Sequence, residues 1–418
     1  MRVRRYGAAI GAAVLAALGV AACGDKAQTE SASAAHLSAV VDSVLPRLQV
    51  IAGLPKRGEI QLDIQSRDAV REYIEERMRE ELPDQELEAI RQTYIAFGLV
   101  PADLDLKALL VDLYTEQVVG YYDPPSKKLF VVAGVPEEQV RPVLVHELVH
   151  ALQDQHADLD SLISRSRGND RQTAAQAAIE GHATMVMLAY LAEAQSGSPV
   201  DPRSLPDIGE QIRPNLEAQN SQFPVFQRAP RVLRETLLFP YAGGAAFVQK
   251  LWRRPLDTGF GDPYPAPIGD RLPESTEQVM NPDSRFLVNR DDPTELALSG
   301  GSGTVVRENV LGQLETAILL EEHLGEQARQ FANGWDGDRY RLIDTGNGNA
   351  LVWYSVWDDA GAADRFADAY RRVAAKRTDR NIAVERLEID ARPAVRVIDA
   401  ESSVSVAPGS IPAASIVK

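Results

Sequence analysis

His146-Glu147-Leu148-Val149-His150 joins two residue types that metal-assisted hydrolysis needs, at a spacing that can use both. Four residues is just over one helical turn, so the two imidazoles fall on one helix face and can share a metal ion. Glu147 sits one residue round from His146. From there it can take a proton from a metal-activated water without itself coordinating. The chain has only six histidines, so a chance match at this spacing is rare. Two histidines leave a tetrahedral site one protein ligand short, and two downstream residues are candidates. His156 would extend the pattern to H-E-x-x-H-x-x-x-x-x-H, but that arrangement needs a glycine at its eighth position, where this chain has Gln153. On a continuing helix, at about 100° per residue, His156 points roughly 120° away from His150; a surface or capping histidine is the plainer reading. Glu180, in Ala177-Ala-Ile-Glu-Gly-His-Ala-Thr184, is favoured instead. It is the first acidic residue on an apolar run from 172 to 195, and the next is Glu193. A carboxylate among Ala, Ile, Met and Val is expensive to bury without a partner, and Zn2+ is a good one. The bland alternative is a glutamate on a helix surface. The expected site is therefore His146, His150 and Glu180 on zinc, with Glu147 as base.

These residues need rigid elements to hold them. Pro142 suits the first turn of a helix continuing to about Asp154, which carries the histidines. A polar stretch at 161–171 ends it, and a second helix over 172–195, mostly apolar, reads as buried. Gly120–Asp123 and Lys128–Val132 flank a Pro-Pro-Ser turn and predict a hairpin that could align an extended peptide. Residues 59–64 alternate as a strand, and 66–81 and 105–119 read as helices. A donor for a developing oxyanion is also required. Tyr241, in Phe239-Pro-Tyr-Ala-Gly-Gly244, and His182 are the candidates, though either residue type is commonly structural. Ser275-Thr-Glu-Gln278 reads as a turn or helix N-terminus that could line a cleft. Gly334-Trp-Asp-Gly-Asp-Arg-Tyr340 hints at calcium, but its spacing fails the EF-hand loop, so a turn between helix and strand is expected.

His146 to Asp154 (HELVHALQD) resembles the active helix of gluzincins, above all thermolysin-like enzymes. The resemblance implies a zinc peptidase whose third ligand, a glutamate on the following helix, maps onto Glu180, and whose aspartate after the second histidine maps onto Asp154. The chain departs from that pattern in two places: 29 residues separate His150 from Glu180, and Thr184 stands where an aspartate is expected. A broader resemblance, to poorly characterised secreted bacterial proteins, rests on Gly-Tyr-Tyr-Asp-Pro, His-Glu-Leu-x-His-Ala-Leu-Gln-Asp-Gln and Glu-Gly-x-Ala. It implies a peptidase of unspecified substrate.

Met1-Arg-Val-Arg-Arg5, an apolar run from Ala8 to Ala22 and the chain's one cysteine, Cys23, describe an export signal. Val20-Ala-Ala-Cys23 resembles a lipobox, which implies lipidation of Cys23 and anchoring to a membrane of the bacterial cell envelope. One cysteine leaves no disulfide within the chain, so stability rests on apolar cores. With 44 Lys and Arg against 60 Asp and Glu, the net charge of −16 repels phosphates, and no nucleic-acid partner is expected. The expected organisation is a signal peptide (1–22), a tether (23–36) and a zincin-like α+β catalytic domain (37–253). An irregular Pro- and Gly-rich connection (254–304), a C-terminal α+β module (305–407) and an unstructured tail (408–418) follow. A zinc-dependent hydrolase of a peptide or protein substrate is the first reading. A catalytically idle zincin-fold scaffold or binding protein is the second, although it leaves Glu147 without a use.

Overall fold

A computed structural model describes residues 34–164, 168–254 and 263–417; Cys23 and the signal sequence lie outside them. Helix α1 (Ala34–Ala52) opens the described chain, so the last three residues assigned to the tether are helical. Leu37, Val40, Val41 and Val44 recur at helical spacing and are buried, which fixes the helix from its first turns. Strand β1 (Gln61–Gln65) follows, then α2 (Arg67–Glu81), whose first turn is capped by Ser66, α3 (Asp84–Phe97) and α4 (Leu106–Gln117). The expected hairpin forms as β2 (Gly120–Asp123) and β3 (Lys128–Val132). β3 pairs antiparallel with β2 and parallel with β1, so β2 is an outer strand of a small sheet.

The histidines lie on α5 (Glu137–His156), which starts a turn and a half earlier than expected. Glu137 and Glu138 favour that start through the helix dipole. Pro142 therefore sits inside the helix, close enough to its N-terminus to forgo only one hydrogen bond. After a short α6 (Leu159–Leu162) come α7 (Asn169–Ser196), α8 (Ile208–Asn220), α9 (Pro224–Arg228) and α10 (Arg231–Arg253). From Ala174 to Ala189 nearly every residue of α7 is buried, as its all-round apolar sequence requires. α10 packs against it at one extreme approach. A Cβ on Gly244 would lie 1.9 Å from the carbonyl oxygen of Ala177, and one on Gly181 would lie 2.0 Å from the carbonyl carbon of Gly244. Two glycines thus let the backbones of α7 and α10 touch, one residue past Glu180.

The connection holds a buried helix, α11 (Thr276–Met280), and a strand, β4 (Leu296–Ser299). Beyond it, β5 (Thr304–Asn309) leads into α12 (Gly312–Leu324). Gly325 (φ 92°) ends α12 in a conformation that favours glycine. Then come β6 (Trp335–Asp344), β7 (Asn349–Trp357), α13 (Ala360–Lys376), β8 (Arg380–Ile389), β9 (Arg392–Glu401) and β10 (Ala413–Ile416). The five-stranded sheet runs β5-β6-β7-β9-β8 with every pair antiparallel. Along β7, Leu351, Trp353 and Trp357 face the helical side, where Phe366 and Tyr370 of α13 meet Trp353. Val352, Tyr354 and Val356 face β4 and its neighbours. The residues assigned to a disordered tail form β10, which pairs antiparallel with β4. Leu296 and Leu298 of β4 anchor that pair on the sheet, so connection and tail are joined over more than a hundred residues.

The architecture is α+β. One hydrophobic cluster runs from Leu37 in α1 to Val397 in β9, across the connection. Among the described residues no helix is long and apolar enough to cross a membrane.

Candidate metal centre

α5 is buried on all sides from Val143 to Asp154, and His146, Glu147 and His150 are at most 1 % exposed. The helical spacing brings Nε2 of His146 to 2.9 Å from Nε2 of His150. Glu180 enters from α7, and its Oε2 lies 3.0 Å from the first nitrogen and 3.2 Å from the second. Three donor atoms of the types zinc prefers therefore meet at one point. Tetrahedral zinc with bonds of about 2.0–2.1 Å sets its ligands about 3.3 Å apart, close to this triangle. Two lone-pair nitrogens and a carboxylate oxygen in such contact need a positive charge between them, a proton or a metal ion. A carboxylate oxygen of Glu147 also lies within 4.8 Å of both imidazoles. Glu180 is nonetheless the better third ligand, because a single oxygen touches both nitrogens. Burial opposes ionisation of Glu180, but the charge of His150 and hydrogen bonds from both histidines outweigh it and hold the carboxyl at about 2.

A buried chain of hydrogen bonds orients His150. Its Nδ1 lies 2.8 Å from Oε1 of Gln153, whose amide nitrogen donates to the carbonyl of Ile179 (3.0 Å) and contacts Nδ1 of His182 (2.9 Å). Nε2 of His182 is 3.2 Å from the carbonyl of Ala52, at the end of α1. The two carbonyls can only accept, which fixes every direction in the chain. Nδ1 of His150 therefore carries a proton, which leaves Nε2 as the ring atom that would bind a metal. Burial, opposed by the bond to Ala52, lowers His182 to about 3 and keeps it neutral. Gln153 is the candidate site residue that reading the sequence missed. His146, His150 and Gln153 stand at i, i+4 and i+7, one helix face, and that spacing was the available signal. Both ring nitrogens of His182 are engaged in this chain.

Glu147 faces the hairpin. Its Oε2 accepts the backbone N–H of Tyr122 in β2 at 2.8 Å, whereas Oε1 is buried with no hydrogen-bond partner among the described residues. Nδ1 of His146 is likewise buried and unpartnered. Burial, partly offset by the charge of His150, raises the Glu147 carboxyl to about 8. Asp154 accepts from the hydroxyl of Tyr122 and from Lys127 (both 2.7 Å), and so ties the hairpin to α5 a second time. This placement alters the expected role of the hairpin. The outward donor of Tyr122 is spent on Glu147, so at that position β2 has no N–H to offer an extended peptide.

The ring of Tyr241, on α10, lies 6.2 Å from the His146 ring, brought there by the Gly181–Gly244 approach. His156 is outside the site, with Nε2 2.7 Å from the carbonyl of Pro55. Ser275–Gln278 forms the start of α11. The Thr276 hydroxyl bonds Asp170 at the N-terminus of α7 and accepts from Leu314, so the segment splices helices and lines no metal cleft. The Gly334–Tyr340 segment is strand from Trp335. Asp338 accepts the N–H groups of Leu311 and Gly312 (2.8 Å each) and of the Trp335 indole (2.9 Å). Its carboxylate serves the α12 N-terminus.

A family model described as Domain of unknown function (DUF8575) matches residues 302–415. That segment is the five-stranded sheet with α12, α13 and β10, and it contains none of the metal-centre residues. No curated protein and no solved structure matches the chain.

Proposed function

We propose that the chain is a zinc-dependent hydrolase of peptide bonds built on a zincin-like catalytic domain, with His146, His150 and Glu180 holding the metal. The observation that carries this reading is the unpartnered, buried Oε1 of Glu147 beside three convergent ligand atoms. An orphaned carboxylate oxygen is costly, and it is accounted for by a water whose proton it accepts. Zinc in this site would polarise a substrate carbonyl and bring the pKa of water towards neutrality. Glu147 takes the proton on Oε1 while the Tyr122 N–H pins its other oxygen, and then returns the proton to the leaving amine. With His182 committed, Tyr241 is the remaining candidate for oxyanion support. Lipidation of Cys23 would place this activity at a membrane of the cell envelope, and Cys23→Ser should then release the protein from the membrane fraction.

The test is Glu147→Gln on purified protein, assayed with a peptide library and by metal analysis. Hydrolysis should fall by about 10³-fold with the metal retained. Equal turnover by the variant would end the mechanism. The near-complete burial of the site favours a second reading, a metal that only staples α5 to α7 in a scaffold. Metal at one per chain with no turnover of any library peptide would support it.

A further inference from the structure

A cavity of about 180 Å³ is lined in part by Tyr241, whose ring lies 6.2 Å from that of His146; none of His146, Glu147, His150 and Glu180 lines it. Its wall on α7 is a single helix face, Asn169, Gln172, Thr173 and Gln176. Glu180 continues that face one turn further on. α10 contributes Leu233, Leu237 and Tyr241, whose ring lies against His146 and is shared between cavity and metal centre. Leu106, Leu110 and Leu113 of α4 add an apolar side. Away from Tyr241 the lining includes Arg307, Glu315 and Tyr340, all from the segment that matches the domain of unknown function.

The lining carries three charged residues, and two are neutralised. Glu81 pairs with Arg77, and Arg307 pairs with Glu86. Glu315 has no ion pair among the described residues, although it is only 4 % exposed. The Tyr94 hydroxyl (3.1 Å) and the Asn169 amide (2.9 Å) both donate to its Oε1, which leaves Oε2 without a hydrogen bond among the described residues.

We propose that this cavity is the substrate channel of the metal centre and that Glu315 receives an ammonium group at its far end, carried on an apolar peptide. The proposal rests on the hydrolase reading above. The ammonium can be the α-amine of a peptide or the side chain of lysine. At 1.5 Å per residue, Asn169, which contacts Glu315, stands about 16 Å from Glu180 along α7. Apolar side chains next to the ammonium lie among the leucines. Burial raises the Glu315 carboxyl to about 7, against its two hydrogen bonds, so an arriving cation completes its ionisation. The C-terminal segment gains a role here, as the part of the molecule that reads the substrate.

Titration calorimetry on the full chain, metal-loaded and metal-stripped, tests this with Leu-Leu-amide, N-acetyl-Leu-Lys-amide and N-acetyl-Leu-Leu-amide. At least one of the two ammonium peptides should bind about tenfold or more tightly than the third, and which one does identifies the source of the cation. Glu315→Gln should remove the preference. Leu110→Trp, which fills the cavity, should abolish binding of all three at unchanged metal content. Equal binding of the three peptides, a preference that survives Glu315→Gln, or undiminished binding by Leu110→Trp would overturn the proposal. Binding is read without turnover, so absent hydrolysis alone bears on the hydrolase reading and a lost ammonium preference bears on the cavity.

Discussion

Asp399 in the C-terminal sheet and Glu180 in the helical core are both buried carboxylates, but their surroundings are built differently. Asp399 faces two fixed cations, Arg377 at 2.6 Å and Arg380. Asp338, nearby, takes three N–H donors. In that region the protein itself supplies the compensation. Glu180 meets two imidazole nitrogens, one of them on the ring that Gln153 orients. Glu147 and His146 each keep a buried atom with no hydrogen-bond partner. Asp399 and Asp338 are compensated by the protein's own donors, whereas the proposed metal site leaves Glu147 Oε1 and His146 Nδ1 without a hydrogen-bond partner among the described residues. Such atoms also occur elsewhere, as at Glu277 and Tyr370, so what sets the proposed site apart is the convergence of three ligand-type atoms there.

The largest effect that would break the contrast comes from the backbone. Gly181→Ala forces α7 and α10 apart beside Glu180 and should cost about 3 kcal/mol or more through overpacking, with loss of bound metal. Thermal unfolding and metal analysis read both, and a variant with wild-type stability and metal content would mean that the helix contact does not hold the site. Next is Asp170, whose carboxyl burial raises to about 7 against its hydrogen bonds from Thr276. An acid that binds its proton more tightly when folded lends stability that is complete below its unfolded value near 4 and is lost as pH rises through 7. Asp170→Asn should therefore gain on the wild type by a few degrees in Tm between pH 5 and pH 8. A constant difference across that range would show that Asp170 stays ionised in the fold. The smallest effect sharpens the contrast at the metal itself. Gln153→Ala frees the His150 ring and should weaken metal binding by about 10–100-fold while the fold persists. Unchanged affinity would remove Gln153 from the site.

What could be read from the sequence tracks how local each signal is. The histidine pair, Glu147 and the candidate Glu180 were legible because helical spacing and one acid in an apolar run are local facts. The face shared by His146, His150 and Gln153 was equally local, but Gln153 was weighed only as an absent glycine. Reading the sequence assigned no helix to α10, whose pattern Pro240 and Gly243-Gly244 interrupt. Their purpose, a backbone contact with α7, exists only in the fold. The β4–β10 pair joins the connection to the chain's end, and neither four-residue segment announces a partner so far away.

The most direct test of the account is zinc content after dialysis against a mild chelator, measured for wild type, Glu180→Ala and His156→Ala. A metal held by two histidines and Glu180 predicts about one zinc per chain in the wild type and in His156→Ala, and a small fraction of that in Glu180→Ala. Zinc lost from His156→Ala and kept by Glu180→Ala, or no stoichiometric zinc in the wild type, would contradict it.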